Sequence, residues 1–144
     1  MGLFGKKHQK MVLFACIENA GRSQMAEGFF RKYAPEGWST MSGGSSPKSY
    51  VNPLAVQVMK EAGIDISNHK AKILSEEQIR MADLKVNMGC MDTTECPSLI
   101  LGNYVDWGIE DPKDKPVEKV REIRDKIESK VKELVSQLVA EQIK

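Results

Sequence analysis

The chain has 144 residues, of which 41% are hydrophobic and 28% are charged, a composition typical of a globular protein with one core. Its formal net charge of +1 gives no basis for a nucleic-acid or membrane-surface partner, and no apolar run approaches the ~20 residues that span a bilayer. The apolar part of residues 1–10 is too short for a signal peptide. We therefore expect a flexible tail at 1–10, a single domain over 1–144, a cytoplasmic location and a monomer.

Short apolar strands alternate with helices along the first half of the chain. An uninterrupted apolar run at 11–15 predicts a central parallel strand that is covered on both faces. Apolar residues at helical spacing predict a helix over 22–33. A second strand is predicted at 38–42, closed by Gly43 and Gly44.

The alternation continues in the second half. Asn52 and Pro53 are typical of a helix start, and Gly63 of its stop. The further predicted elements are a short helix opened by a capping box at 75–78, strands at 83–88 and 104–107, and a long amphipathic helix from about Val117 with the apolar stripe Val117, Val120, Ile123, Ile127, Val131, Leu134 and Leu138. This alternation predicts an α/β fold in which helices cover both faces of a parallel sheet.

The first strand ends on Cys16, and Arg22 and Ser23 follow a short polar loop. In open α/β sheets, ligands bind beyond the carboxyl ends of the strands. The loop at 17–21 can turn its backbone N–H groups inward, with Gly21 allowing an unusual dihedral angle. The next helix adds free N–H groups and the positive end of its dipole, so the stretch predicts a cradle for a tetrahedral oxyanion.

Three side chains give this cradle its chemistry. Arg22 adds a planar fork that can hold two oxygens, and the positive field favours the thiolate of Cys16, the form that attacks. Ser23 can donate a hydrogen bond to that thiolate. The alternative is that Cys16 is a buried core cysteine. The predicted substrate-binding residues are Ile17, Glu18, Asn19, Ala20, Gly21, Arg22 and Ser23.

The other two cysteines, Cys90 and Cys96, lie in a predicted loop. An odd number of cysteines and the lack of a secretory signal argue against a disulfide framework, so the two are either a redox pair or incidental thiols. The only histidines, His8 and His69, do not stand at zinc-ligand spacing from a cysteine. We expect no metal site and no cofactor.

Four stretches, CIENAGRSQMAEGF, VNPLAVQVMKEAGIDIS, MGCMDTTECP and DWGIEDP, resemble the arsenate reductases built on the low-molecular-weight tyrosine phosphatase fold. The resemblance runs from about Met11 to the final helix. It implies three layers around a four-stranded parallel sheet of the flavodoxin-like kind. It also implies that Cys16 is the nucleophile, Arg22 the oxyanion clamp, Asn19 a residue that fixes the loop and Asp111 the general acid.

The same resemblance implies a relay of three thiols. Cys16 attacks arsenate, Cys90 then attacks Cys16 and releases arsenite, and Cys96 attacks Cys90. Thioredoxin or a related dithiol protein would reduce the resulting disulfide, and phosphate or sulfate would mimic arsenate. The closest alternative is a low-molecular-weight protein tyrosine phosphatase, which hydrolyses phosphomonoesters and needs no further cysteines. A non-catalytic anion-binding or redox-sensing module is the alternative from another class.

Several residues depart from the family's pattern. Glu18 puts a negative side chain into the anion loop and is expected to point outward, while Lys113 and Asp114 replace small residues. Asp106, Glu110 and Asp114 compete with Asp111 for the role of the acid.

Tyr50 and Trp107 are candidate walls of the mouth, although Trp107 is favoured as a core residue. Some family members bind a monovalent cation near the loop. Glu27 and Ser42 match that site, but Lys72 stands where those members have an acid, so no bound potassium is expected.

Overall fold

The computed structural model describes residues 9–89 and 102–143, so Cys90 and Cys96 lie outside the described residues. The strands are β1 (Lys10–Cys16), β2 (Trp38–Gly44), β3 (Leu84–Asn87) and β4 (Val105–Asp106). The helices are α1 (Arg22–Tyr33), α2 (Pro53–Glu61), α3 (Glu76–Met81) and α4 (Val117–Ile143).

The four strands form one sheet in the order β2-β1-β3-β4, and all three pairings are parallel. Cys16 pairs with Gly44 on one side, and Ala15 pairs with Asn87 on the other. The chain passes from β1 to β2 on one side and returns to β3 on the other, so the strand order reverses at β1. A ligand crevice is expected at the carboxyl end of such a strand, which is where Cys16 lies.

The two faces of β1 are covered unequally. Val12, Phe14 and Cys16 belong to the large core formed with α1, α2 and α4. Leu13 and Ala15 face the smaller cluster that α3 covers. Because side chains alternate across a strand, this burial of both faces requires the continuous apolar run seen in the sequence. The predicted three-layer α/β fold is confirmed.

Most of the predicted helix boundaries are confirmed. Asn52 caps α2 by accepting the Leu54 N–H at 2.9 Å, and Ser75 and Gln78 form the capping box of α3. In α4, the residues of the predicted stripe are buried in the large core, except that Val117 is only partly buried. Within 9–89 and 102–143, no helix is both long and apolar enough to cross a bilayer.

All four strands differ from their predicted bounds: β3 and β4 are one residue shorter at each end, and β1 and β2 are longer than predicted. β1 begins at Lys10, which the sequence placed in the terminal segment, because Lys10 pairs with Trp38 in the parallel ladder. β2 continues through Gly43 and Gly44 instead of ending before them. Both glycines pair with β1, and they pass so close to neighbouring backbone that a side chain would not fit.

Candidate active site

Cys16 lies at the carboxyl end of β1, and only 2% of its surface is exposed. Its Sγ accepts a hydrogen bond from the Asn19 backbone N–H at 3.2 Å and lies 2.9 Å from Ser23 Oγ. The Asn19 side-chain amide donates to the same Ser23 oxygen at 2.7 Å, which leaves the hydroxyl proton of Ser23 free to point at the sulfur. The buried sulfur therefore has one backbone N–H donor, and the Ser23 hydroxyl can act as a second.

The loop between β1 and α1 turns its carbonyl groups away from the sulfur. The carbonyl oxygens of four loop residues accept backbone N–H groups of the segment 45–52, at 2.7 to 3.2 Å. In a trans peptide the N–H points opposite to the carbonyl, and the described residues contain no cis peptide. The four carbonyls belong to Cys16, Ile17, Glu18 and Ala20. The N–H groups that follow them, at residues 17, 18, 19 and 21, thus face inward as a cradle for an anion.

Asn19 holds the shape of this loop. It is fully buried and has a φ of 50°, in the left-handed region that asparagine tolerates better than most residues. Its Oδ1 accepts the Gln24 side-chain amide at 2.9 Å and the Lys72 backbone N–H at 2.8 Å. Gly21, for which the sequence predicted the unusual dihedral angle, is the N-cap of α1 with a φ of −139° and a ψ of −85°.

Arg22 is the first residue of α1 and is 5% exposed. Its Nη1 donates to the carbonyl oxygens of Gly89 at 2.6 Å and Ile109 at 2.9 Å, and its Nη2 lies 3.8 Å from Asp111 Oδ2. Part of the predicted fork is thus bound to protein carbonyls. The remaining guanidinium nitrogens are the ones that can bind an anion.

The residues around the sulfur enclose a small cavity of about 20 Å³, which has room for about one water molecule. The cavity is lined by Cys16, Glu18, Ala20, Gly21, Arg22 and Asp111.

The competing acids do not line this cavity. Glu110 pairs with Lys115 and Lys119, and Asp106 accepts the Gly108 N–H at 2.8 Å. Of the four acids that compete for this role, Asp111 is the one that lines the cavity; Glu18, which also lines it, is paired with Lys113 at 3.4 Å.

The two candidate aromatic walls lie in different places in the structure. Trp107 packs against Phe14, with ring centroids 5.6 Å apart, and belongs to the core. Tyr50 is 58% exposed and lines a larger groove of about 260 Å³ beside the cavity.

A buried carboxylate lies behind the loop. Glu27 is 2% exposed, and its oxygens accept Ser42 Oγ–H at 3.0 Å and Arg31 Nη2–H at 2.9 Å. The Lys72 ammonium lies 3.4 Å from Ser42 Oγ and 3.9 Å from the Glu27 carboxylate, so a side-chain cation stands beside the residues that match the family's cation site. The described residues contain no group of three or more His, Cys, Asp or Glu side chains that could hold a metal ion.

His69 connects this cluster to the loop. Its Nδ1 lies 2.9 Å from Gln24 Oε1, and its Nε2 lies 3.3 Å from Arg31 Nη1. An amide oxygen accepts only, so Nδ1 carries the proton and Nε2 accepts from Arg31. Protonation of Nε2 would place a second cation against Arg31. Burial is the first cause that lowers the pKa of His69, and the neighbouring cations Arg31 and Lys72 add to it against the opposing Glu27.

This lowered pKa predicts a loss of stability in mild acid. As the pH is lowered from about 7.5 to about 5.5, the unfolded chain binds a proton at His69 more readily than the folded chain does. The free energy of unfolding therefore decreases as the pH is lowered over this range. We expect the fall to be smaller in His69→Asn, whose amide N–H approximates the position of Nδ1. Urea unfolding of both chains at the two pH values measures this, and equal losses in both chains would contradict it.

Sequence reasoning did not identify the residues that support the loop. The segment 45–52, Gln24 and Lys72 all act through backbone or amide contacts that have no fixed motif. The Gly43-Gly44 pair was the available signal, because two adjacent glycines at a strand end indicate a close backbone approach.

The chain is similar in sequence to a known protein family and to named relatives. The family model described as low molecular weight phosphotyrosine protein phosphatase matches residues 11–144. A similar protein is arsenate reductase 2 of Staphylococcus epidermidis, which is 38% identical over 125 residues, covering 85% of this chain and 94% of the relative.

Solved structures of two kinds of enzyme resemble the structure of this chain. A thioredoxin-dependent arsenate reductase from Corynebacterium glutamicum has a TM-score of 0.76 and 33% identity, covering 97% of this chain and 67% of that one. An arginine phosphatase from Geobacillus stearothermophilus has a TM-score of 0.77 and 27% identity, covering 93% of this chain and 96% of that one.

Proposed function

Because the chain belongs to the low molecular weight phosphotyrosine protein phosphatase family, and its relatives include arsenate reductases, we propose that it reduces arsenate to arsenite. The reaction uses Cys16 as the nucleophile and returns electrons through Cys90 and Cys96 from thioredoxin or a related dithiol protein. It takes place in the cytoplasm, where thiols are kept reduced, and needs one copy of the chain.

The observation that carries this proposal is the setting of the Cys16 sulfur. It accepts one loop N–H, faces the Ser23 hydroxyl and shares its cavity with Arg22 and Asp111. Inward N–H groups and a guanidinium stabilise a thiolate and a tetrahedral oxyanion in the same place. A buried core cysteine needs none of these partners.

The first step joins sulfur to arsenic. The Cys16 thiolate attacks arsenate while the inward N–H groups and Arg22 hold its oxygens. One arsenic–oxygen bond breaks, and Asp111 donates the proton with which that oxygen leaves as water. Phosphate and sulfate fit the same cradle as mimics, because they share the tetrahedral shape and the negative charge.

The second stage transfers two electrons. The Cys90 thiolate attacks the Cys16 sulfur of the adduct, a disulfide forms, and the sulfur–arsenic bond electrons leave with arsenic as arsenite. The Cys96 thiolate then attacks Cys90, which frees Cys16 and moves the disulfide to the Cys90–Cys96 pair. An external dithiol reduces that disulfide and completes the cycle.

Phosphomonoester hydrolysis is the second candidate, since the matching family model is described as a phosphotyrosine protein phosphatase. A phosphatase would use Cys16, Arg22 and Asp111 in the same way, with water releasing phosphate from the sulfur. It would leave Cys90 and Cys96 without a task. The two additional cysteines therefore favour the reductase.

The function is tested with the reduced chain, arsenate, thioredoxin, thioredoxin reductase and NADPH. We expect one arsenite for each NADPH oxidised, and no sustained arsenite formation when thioredoxin is omitted. A parallel assay follows hydrolysis of 4-nitrophenyl phosphate. Hydrolysis without arsenite formation would contradict the proposed function and favour the phosphatase.

A further inference from the structure

Two charged side chains of this sequence meet at the mouth of the site. Glu18 belongs to the anion loop, and Lys113 follows Asp111 by two residues. Lys113 Nζ lies 3.4 Å from Glu18 Oε2. The negative charge of Glu18, followed by the hydrogen bond between the two side chains, raises the pKa of Lys113.

The pair joins two segments that are already packed together. The Lys113 backbone N–H donates to Asp111 Oδ1 at 3.0 Å, which fixes Lys113 in the same turn as the acid. A Cβ on Gly21 would lie 3.0 Å from Pro112 Cγ, so the turn rests directly on the anion loop. The Glu18–Lys113 pair joins the same two segments through their side chains. We call this contact between the anion loop and the turn 111–113 the seam.

This seam separates the small cavity at Cys16 from the groove of about 260 Å³. Lys113 lines the groove. Four residues line both spaces, so the boundary between them passes through Glu18, Ala20, Gly21 and Asp111. The Glu18–Lys113 pair thus stands where anything bound at the sulfur would extend into the groove.

We propose that the Glu18–Lys113 pair selects inorganic oxyanions over organic phosphate esters at the anion site. A bare tetrahedral anion occupies the cradle with the pair closed behind it. An ester carries its organic group through the boundary and holds the pair apart. The ester-bound state therefore lacks an interaction that the inorganic-anion state keeps, and only such a difference produces selectivity.

The inference rests on the proposed function, because it assigns a determinant of substrate choice to that same site. Both side chains are partly exposed, at 29% for Glu18 and 49% for Lys113, so the pair is an ordinary surface ion pair. Exposed ion pairs correspond to about a two- to five-fold change in an equilibrium. That is the size of the selectivity we expect.

Binding calorimetry of the reduced chain with inorganic phosphate and with phenylphosphonate, at a pH where both are dianions, tests the proposal. Selectivity is the Kd for phenylphosphonate divided by the Kd for phosphate. We expect it to fall about two- to five-fold in Glu18→Gln and also in Lys113→Gln. The double variant Glu18→Lys with Lys113→Glu re-forms the pair with reversed charges and should recover the wild-type selectivity.

The two single variants separate this proposal from a simple effect of charge. If only the local field mattered, Glu18→Gln would strengthen and Lys113→Gln would weaken the binding of both anions, and the selectivity would stay constant. A constant selectivity would therefore overturn the proposal. Lys119→Gln, which removes an exposed ion-paired lysine outside the groove, is the matched control and should leave selectivity unchanged.

The outcome is independent of turnover. If phosphate binds but no arsenite forms in the coupled assay, the proposed function fails while the selectivity is still measured. If the wild-type chain binds neither anion, the anion site itself is wrong and the role of the pair falls with it.

Discussion

Arsenate turnover in Cys16→Ser is expected to fall at least about 10³-fold below that of the wild-type chain, because a serine hydroxyl stays protonated where a thiolate attacks. The coupled thioredoxin assay measures this. The N–H groups that surround Cys16 belong to the backbone and remain in place. Phosphate should therefore still bind to Cys16→Ser, which shows that the site is folded. Turnover within ten-fold of the wild type would exclude Cys16 as the nucleophile.

The proposed relay predicts different results when each of the other two cysteines is replaced. Cys96→Ser should release about one arsenite per chain and then stop, because the first disulfide can form but cannot move on. Cys90→Ser should release none under the same conditions. Both variants should keep their hydrolysis of 4-nitrophenyl phosphate, which requires only the anion site. Sustained arsenate turnover by Cys96→Ser would contradict the relay.

Gly44→Ala is expected to lower the kcat/KM for arsenate by about 10²-fold, since a misplacement of about 1 Å in a reactive site has that effect. A Cβ on Gly44 would lie 2.6 Å from Ile17 O and 2.8 Å from Asn19 N, and both atoms belong to the backbone of the anion loop. Real Cβ atoms essentially never lie this close to another heavy atom, so the loop must shift. Steady-state kinetics in the coupled assay measure the loss.

Gly43→Ala is the matched control for that variant. Its Cβ would meet Gln78 Oε1 at 2.8 Å and the Leu74 Cα at 2.9 Å, away from the loop. Both variants should lower Tm, but only Gly44→Ala should lose activity beyond the effect of stability. Equal losses of activity, or full activity in Gly44→Ala, would show that the close approach of β2 does not set the geometry of the loop.

The sequence predicted the structure best at positions where a residue pattern has a single structural meaning. The apolar run of β1 indicated burial on both faces, and the Asn52 cap and the Ser75 capping box fixed two helix starts. Strand ends were less predictable. Gly43 and Gly44 read as a stop, yet they continue β2, because the same residue that permits a turn also permits close backbone packing.

The candidate site divides in the same way. Cys16, Arg22 and Asp111 could be placed around one anion from their spacing and their resemblance to the family, and they line one cavity. The outward turn of the loop carbonyls, and the carbonyls that bind Arg22, could not be predicted. Those contacts depend on how distant backbone segments meet, which no local pattern encodes.

The inward backbone N–H groups of the anion loop determine how arsenate is distinguished from phosphate. Since the segment 45–52 already fixes the direction of each loop amide, little freedom is lost when a guest arrives. A preorganised cradle of this kind recognises tetrahedral shape and negative charge, which phosphate and arsenate share. Phosphate must then be a competitor of arsenate, and discrimination comes after capture, because only arsenic accepts the two electrons.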